Sequence, residues 1–428
     1  MTFLFVTFLV LLCLNVPIAF VIGLAGIAYF LTNPIIPYAV AVNRVVAQTQ
    51  SYTFLAIPFF IFAGNLMNAS GITKRLLTLS GLITRKMYGG LAQMNVVLST
   101  LMGGISGSAC ADASMEARVI GHDMVKRGYT KGYTAAVTCT SALITATIPP
   151  SVGLILFGFI GGVSIGRLFM GGIVPGLLMS ASLMTVVAIT SKKRKFEPPS
   201  EDAQWPTGRE LLTAIRESIW ALIFPVILLV GIRMGFFTPS EAGAFAVVYA
   251  LFIGKFVYKE LTWDGFREAL KNTCIDNGVI LLIICLSGIF SYAITFVKAP
   301  AKISTFIFAI TTNPYLLQII ILVFLFIIGM FVDSDVNTLL LTPIFLPVAV
   351  KAGIDPVHFG VMMGTIITLG IMTPPVGTAC YIVCGILDCP IDEYMLELIP
   401  FLIAILLVFS ILIFFPQVVL FLPNLVFG

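Results

Sequence analysis

Thr145-Ala146-Thr147-Ile148-Pro149-Pro150-Ser151 has a counterpart 225 positions later, Gly370-Ile371-Met372-Thr373-Pro374-Pro375-Val376-Gly377. Both runs interrupt apolar stretches. Proline removes a backbone donor and pushes carbonyl groups out of the helical ladder. One such pair reads as a simple kink; two at a matched offset read as one broken helix built twice. The offset holds on either side: Gly104 answers to Gly329, Lys126 to Lys351, Gly128 to Gly353 and Pro175 to Pro400. Paired interrupted helices in two halves of an apolar chain point to a binding site at the repeat interface.

The solvent for this chain is lipid. Of 428 residues, 59% are hydrophobic and 10% charged, with a mean hydropathy of +1.07. A soluble domain carries about 25% charged residues. In hydrocarbon every backbone polar group must be satisfied internally, so the spans are helices; the alternation of a membrane barrel is absent. The fold class expected is an all-α polytopic membrane protein. The apolar start lacks a basic leader and a cleavage site, and reads as a retained first membrane helix. The eight cysteines read as small packing residues, and His122 and His358 as too isolated for a transition metal. The net charge of +4 fits basic loops at one membrane face, not nucleic-acid binding.

Stretches long enough to cross about 30 Å of hydrocarbon lie at 3–31, 53–70, 132–163, 169–190, 218–236, 241–258, 274–297, 358–387 and 395–422. The regions 91–125 and 314–350 are too long for one span and polar at their middles. Each reads as a re-entrant helical hairpin with its tip at mid-depth, tolerable only where protein or water surrounds the turn. Seventeen of the 24 basic residues fall in the loops 74–86, 126–131, 191–217 and 255–271, the cytoplasmic face by the positive-inside rule. Five crossings between the hairpins then turn the second copy over. Inverted structural repeats of hairpins and broken helices are an architecture of alternating-access transporters.

The tips carry the chemistry. The first reads Gly103-Gly104-Ile105-Ser106-Gly107-Ser108, with Asp112 and Ser114 following; the second holds Gly329, Asp333, Asp335, Asn337 and Thr338. Hydroxyls and freed carbonyls at half-helix ends suit a hard cation such as Na⁺, and half-helix N-termini suit an anionic group. An acid at a membrane helix centre costs about 2.5–3.5 kcal/mol, so Asp112 and Asp333 read as functional, with helix capping the plain alternative. Glu116 and Arg118 read as a local charge pair.

At these motifs the chain resembles the large membrane subunit of TRAP transporters, the tripartite ATP-independent periplasmic systems. The resemblance rests on Ile57-Pro58-Phe59-Phe60, Ser106-Gly107-Ser108-Ala109 with Asp112, Ile148-Pro149-Pro150-Ser151, Thr342-Pro343-Ile344, Gly353-Ile354-Asp355-Pro356-Val357-His358-Phe359-Gly360 and Thr373-Pro374-Pro375-Val376-Gly377. It implies an elevator-type symporter of the bacterial inner membrane. Such a protein takes up an organic acid, of sialic acid or C4-dicarboxylate type, with Na⁺ as coupling ion in two or more sites. Its implied partners are a small four-helix membrane subunit, expected here as a separate chain, and a periplasmic substrate-binding protein. Cation contacts implied by the resemblance are Ser106, Ser108, Thr145, Ile148 and Pro150 in the first copy, and Gly329, Asp333, Gly370 and Thr373 in the second. Substrate contacts are expected from Asp112, Ser151, Asp335, Asn337, Thr338 and Gly377. The polar second tip suits a hydroxyl-rich acid better than a bare dicarboxylate.

The expected division is scaffold helices over 1–90, a first hairpin and broken helix over 91–168, scaffold and arm helices over 169–313, a second hairpin and broken helix over 314–390, and a scaffold helix over 391–428. Two other readings remain at this stage, a carboxylate carrier that needs no binding protein and an ion channel. A membrane enzyme is not supported, since no nucleophile–base pair or metal cluster appears.

Overall fold

The computed structural model describes residues 2–14, 16–32, 37–197 and 205–428, so residues 198–204 of the basic loop 191–217 lie outside the described residues. The described residues form helices and connecting turns, without a strand. Helices α1 (Thr2–Cys13), α2 (Ile18–Thr32), α3 (Tyr38–Thr49), α4 (Ala56–Ala69) and α5 (Ile72–Thr84) open the chain. The first hairpin follows as α6 (Gly90–Met102), α7 (Ala109–Glu116) and α8 (His122–Lys126), and the first broken helix as α9 (Lys131–Thr147) and α10 (Val152–Gly161). Next come α11 (Ile165–Arg194), α12 (Gly208–Arg233), α13 (Pro239–Phe252), α14 (Trp263–Phe296) and α15 (Ala299–Ile310). The second hairpin is α16 (Pro314–Gly329) and α17 (Ser334–Lys351), the second broken helix α18 (Pro356–Ile371) and α19 (Thr378–Leu387); α20 (Ile391–Phe414) and α21 (Gln417–Phe427) close the chain.

Among the described residues six helical segments are long and apolar enough to span a membrane, and α9 with α10, bent by 43°, makes a seventh. Residues 358–387 split into α18 and α19 at the Pro374-Pro375 break, the interruption expected there. Two expected spans are built differently. Residues 3–31 hold two helices, not one: Pro17 cannot continue the ladder and restricts the residue before it, and α1 packs against α2. The stretch 395–422 stops at Phe414, just ahead of Pro416, and resumes as α21.

The sequence offset survives in three dimensions. Shifted by 225 positions, α9 lands on α18, α10 on α19 and α6 on α16. The copies interlock crosswise. Each hairpin's first arm packs on its own broken helix, α6 on α9 and α16 on α18; the second arms also reach across, α7 to α19 and α17 to α10. At one end of the bundle Lys131, opening α9, holds the Asp388 carbonyl at 2.8 Å, and the Gly132 N–H donates to Glu393 at 2.9 Å. The start of the first broken helix therefore lies beside the finish of the second.

Both ends of the first hairpin return to a single residue. Glu197 accepts from the Leu91 N–H and from the Tyr129 hydroxyl, each at 2.8 Å, and pairs with Arg127. The tip thus projects into the bundle from a base anchored at the end of α11. Local chemistry sets the helix starts. Asp355 caps α18 through the N–H groups of Val357 (2.7 Å) and His358 (3.2 Å), with Pro356 in the first turn, where its missing donor costs nothing. His358 then ties α18 to α20 through Leu412 O at 3.0 Å.

A carbonyl freed at the second break has a dedicated donor. The buried Tyr394 hydroxyl of α20 donates to Met372 O at 2.5 Å. Tyr394→Phe removes that hydroxyl, which the Cys139 thiol also faces, and leaves the carbonyl unpaired, a cost of about 1–3 kcal/mol. A lower unfolding midpoint in detergent, with helix content unchanged at low temperature, is the expected result; an unchanged midpoint would show that the break does not depend on this bond.

Candidate functional site

A cavity of about 530 Å³ lies where the two tips meet the α4–α14 wall, within the size range of small-molecule sites. From the first copy it takes the tip Ser106-Gly107-Ser108, the start of α7, and Ser151 at the start of α10. From the second it takes Asp333, Ser334 and Asp335 at the start of α17, with Thr368 of α18 and Ile382 of α19. The remaining wall is Asn65 and Asn68 of α4 facing Asp276 of α14. Helix N-termini at Ala109, Val152 and Ser334 thus converge on one space, each presenting the positive end of a helix dipole, with the Val152 N–H taken by Gly107 O and the Asp335 N–H by Asp333.

The first tip is seated by backbone geometry. Gly107 has φ +66° and accepts the Val152 N–H at 3.5 Å; a β-carbon there would overlap the Pro150 carbonyl. Only glycine combines that torsion with that approach. Ser151 caps α10 and donates to Ala146 O at 2.5 Å. Ile148 packs its side chain into the space left by Gly103 and Gly176, so only its carbonyl is free to act as a ligand.

Of the residues singled out from sequence, Ser106, Ser108, Ser151, Asp333 and Asp335 line the cavity. Asp112 does not. It lies one layer behind the first tip, fully buried, and neither carboxylate oxygen has a hydrogen-bond partner. Ser106 and Thr145 carry the hydroxyls that face it, but Thr145 spends its proton on Ser99 O at 3.0 Å. Asn337, Thr338 and Gly377 also lie off the cavity. Asn337 donates to Val332 O at 2.8 Å and Thr338 to Ser334 O at 2.8 Å, so both hold the second tip together from inside. Gly377 closes the turn after Pro375 against the carbonyls of Ile371 and Thr373. Thr373 bonds Leu369 O at 2.9 Å, and Gly329 and Gly370 sit backbone to backbone where α16 crosses α18.

Two further corrections concern acids. Glu116 does not pair with Arg118. It is fully buried and accepts from Ser99 at 2.7 Å and Ser141 at 3.4 Å, while Arg118 is exposed. Asn95 completes this network through Thr138 at 2.8 Å and Ser141 at 2.9 Å. Asp276 went unread in the sequence because it belongs to the long α14 and follows a charged stretch. The signal was there: Asp276 is the one acid inside the expected span 274–297, and an acid within a span is costly. Asn65 of α4 donates to it at 3.4 Å and to Thr273 at 3.1 Å.

This arrangement of two tips, two Pro-Pro breaks and a polar wall meets a family match over nearly the whole chain. Residues 5–418 match the family model of the tripartite ATP-independent periplasmic transporter, DctM component. The chain belongs to the DctM family of large permease subunits. It is 34% identical to the sialic acid TRAP transporter large permease protein SiaM of Vibrio cholerae over 98% of this chain and 97% of that one. It is also 34% identical to the isethionate TRAP transporter permease protein DctMQ of Oleidesulfovibrio alaskensis, over 98% of this chain and 65% of that longer relative. The fold resembles the YdaH transporter of Alcanivorax borkumensis, with a TM-score of 0.65 over 86% of each chain at 12% identity. As a DctM-family permease the chain is a multi-pass bacterial membrane transporter and not an enzyme.

Proposed function

We propose that this DctM-family permease carries out Na⁺-coupled uptake of an organic acid across the bacterial inner membrane by an elevator-type movement. The observation that carries the proposal is the shared cavity: both tips and both broken helices meet there against the separate α4–α14 wall. The two hairpins with their broken helices are the moving body. The wall, which packs with α2, α3 and α13, is the scaffold. The hairpins are re-entrant from opposite faces, a reading supported by the return of both ends of the first hairpin to Glu197 and by the meeting of Lys131 with Asp388.

Two cation sites are assigned, one per copy. The first draws on Ser106, Ser108, Thr145 and the carbonyls of Ile148 and Pro150, with Asp112 behind them. Its unpaired buried carboxylate fits a cation better than the substrate contact expected from sequence, since a buried charge requires a partner. The second draws on Asp333, Thr373 and the backbone at Gly329 and Gly370. Ser151 and Asp335 remain as substrate contacts, joined by Asn65, Asn68 and Asp276. Between sialic acid-type and C4-dicarboxylate substrates, the cavity favours the one bearing donor groups, because its charged side chains accept hydrogen bonds and none donates.

Relatives joined to further chain, such as DctMQ, support a small membrane subunit as partner, and the family name supports a periplasmic binding protein. Proteoliposomes holding the chain with both partners test the reading. Uptake is expected to follow an inward Na⁺ gradient and to stop when the periplasmic protein is omitted; uptake indifferent to both would sink it. Ser106→Ala is expected to raise the Na⁺ concentration for half-maximal uptake roughly tenfold, the effect of losing one good oxygen contact. Unchanged Na⁺ dependence would remove Ser106 from the site.

A further inference from the structure

The cavity carries three carboxylates and no cation. Asp276 comes from the wall, Asp333 and Asp335 from the second tip, and among the described residues no Lys, Arg or His lines the space. A site built for an acid with two or more negative groups would show the reverse balance. The neutral donors present, Asn65, Asn68, Ser106, Ser108 and Thr368, can hold a carboxylate, and so can the N–H groups that open α7. They cannot offset three acids. A coupling cation at Asp333 leaves Asp276 and Asp335 lining the same space without a cationic partner. Those two come from different bodies of the fold, one on α14 and one on the tip of the second hairpin. Asn65 donates to Asp276 at 3.4 Å, and both line the cavity.

We propose that this cavity selects a substrate carrying a positively charged group, an ammonium or a guanidinium, in addition to its carboxylate. The proposal rests on the reading of this cavity as the transport site and narrows its substrate class to a zwitterion. The positive group sits between Asp276 and Asp335, and the carboxylate sits at the N-terminus of α7. A dianionic acid is disfavoured by like charge at close range in a site of low dielectric. The fixed wall thus contributes to selection, since a substrate lacking the cation leaves both Asp276 and Asp335 without a counter-charge.

Cys110 makes the charge of the cavity measurable without knowing the substrate. Its thiol lines the space beside Asp333 and Asp335. In the purified full chain, the rates at which cationic trimethylammonium-ethyl and anionic sulfonatoethyl methanethiosulfonates modify Cys110 are read by peptide mass spectrometry, which separates it from the other thiols. The cationic reagent is expected to react at least tenfold faster after each rate is divided by its rate with free cysteine. Asp276→Asn should bring that ratio down severalfold. Equal rates, faster anionic labelling, or a ratio indifferent to Asp276→Asn would overturn the proposal.

A second arm uses Na⁺-driven proteoliposome uptake of radiolabelled 4-aminobutyrate, succinate and N-acetylneuraminate. Preference for 4-aminobutyrate, weakened by Asp276→Asn, supports a zwitterion site; preference for either acid lacking a cationic group overturns it. A cation-selective Cys110 in a protein without Na⁺-driven uptake of any of the three would count against the transport reading and leave the charge selectivity standing.

Discussion

Asp112→Asn is expected to give a folded, membrane-inserted protein whose uptake requires about a hundredfold more Na⁺, or is lost at attainable concentrations. The carboxyl group is fully buried and both its oxygens lack a partner, so the apo protein bears the cost of desolvating an acid that nothing satisfies. Losing one member of a buried charged contact costs about 3–5 kcal/mol, and a factor of ten corresponds to about 1.4 kcal/mol. Asparagine keeps the shape and removes the charge, so the bound form loses its counter-charge while the apo fold is relieved. Thermal unfolding in detergent separates these effects. Wild type should be stabilised by NaCl relative to choline chloride, whereas Asp112→Asn should show a midpoint at least as high as wild type without Na⁺ and little further gain with it. A variant that keeps the full Na⁺-dependent stabilisation would remove Asp112 from the cation site. The position one turn on is a contrast, because Glu116 is already satisfied by Ser99 and Ser141 and needs no ion.

The second large effect is expected at Gly370. A β-carbon there would lie 2.6 Å from the Gly329 backbone and 2.8 Å from Phe326 O. Those neighbours are main-chain atoms of α16 and cannot rotate away, so α16 and α18 must separate. Overpacking costs about 1–3 kcal/mol even where side chains can adjust. Gly370→Ala should therefore sharply reduce the yield of monodisperse protein and the midpoint of unfolding in detergent. Gly385→Ala is the matched control, since a β-carbon there meets nothing within 4 Å. Equal behaviour of the two variants would show that the contact between α16 and α18 is not as close as described.

The hairpins and breaks were legible because their signals are local. Proline in an apolar run breaks a helix wherever it folds, and two apolar arms around a polar turn are too long for one span. Asn337 and Thr338 show the limit of that reading. Both are polar and both belong to a tip, yet their side chains turn inward to Val332 O and Ser334 O. Rotamer and helix phase decide this, and composition does not record them. The division of 3–31 into α1 and α2 was readable from Pro17, but hydropathy averaged over a window conceals a single proline.

The sequence by itself determined the solvent, the repeat and the places where helices must break, because each depends on the chemistry of residues near one another in the chain. It also marked Ser106, Asp333 and Asp335, which the cavity keeps. Only the tertiary structure decided which polar groups share a space. It placed Asp112 behind the first tip with its oxygens unpaired, seated Glu116 in a hydroxyl network, and set Asp276 across from a tip nearly sixty residues away. Burial and partnership come from helices packed against one another, and a linear pattern carries neither.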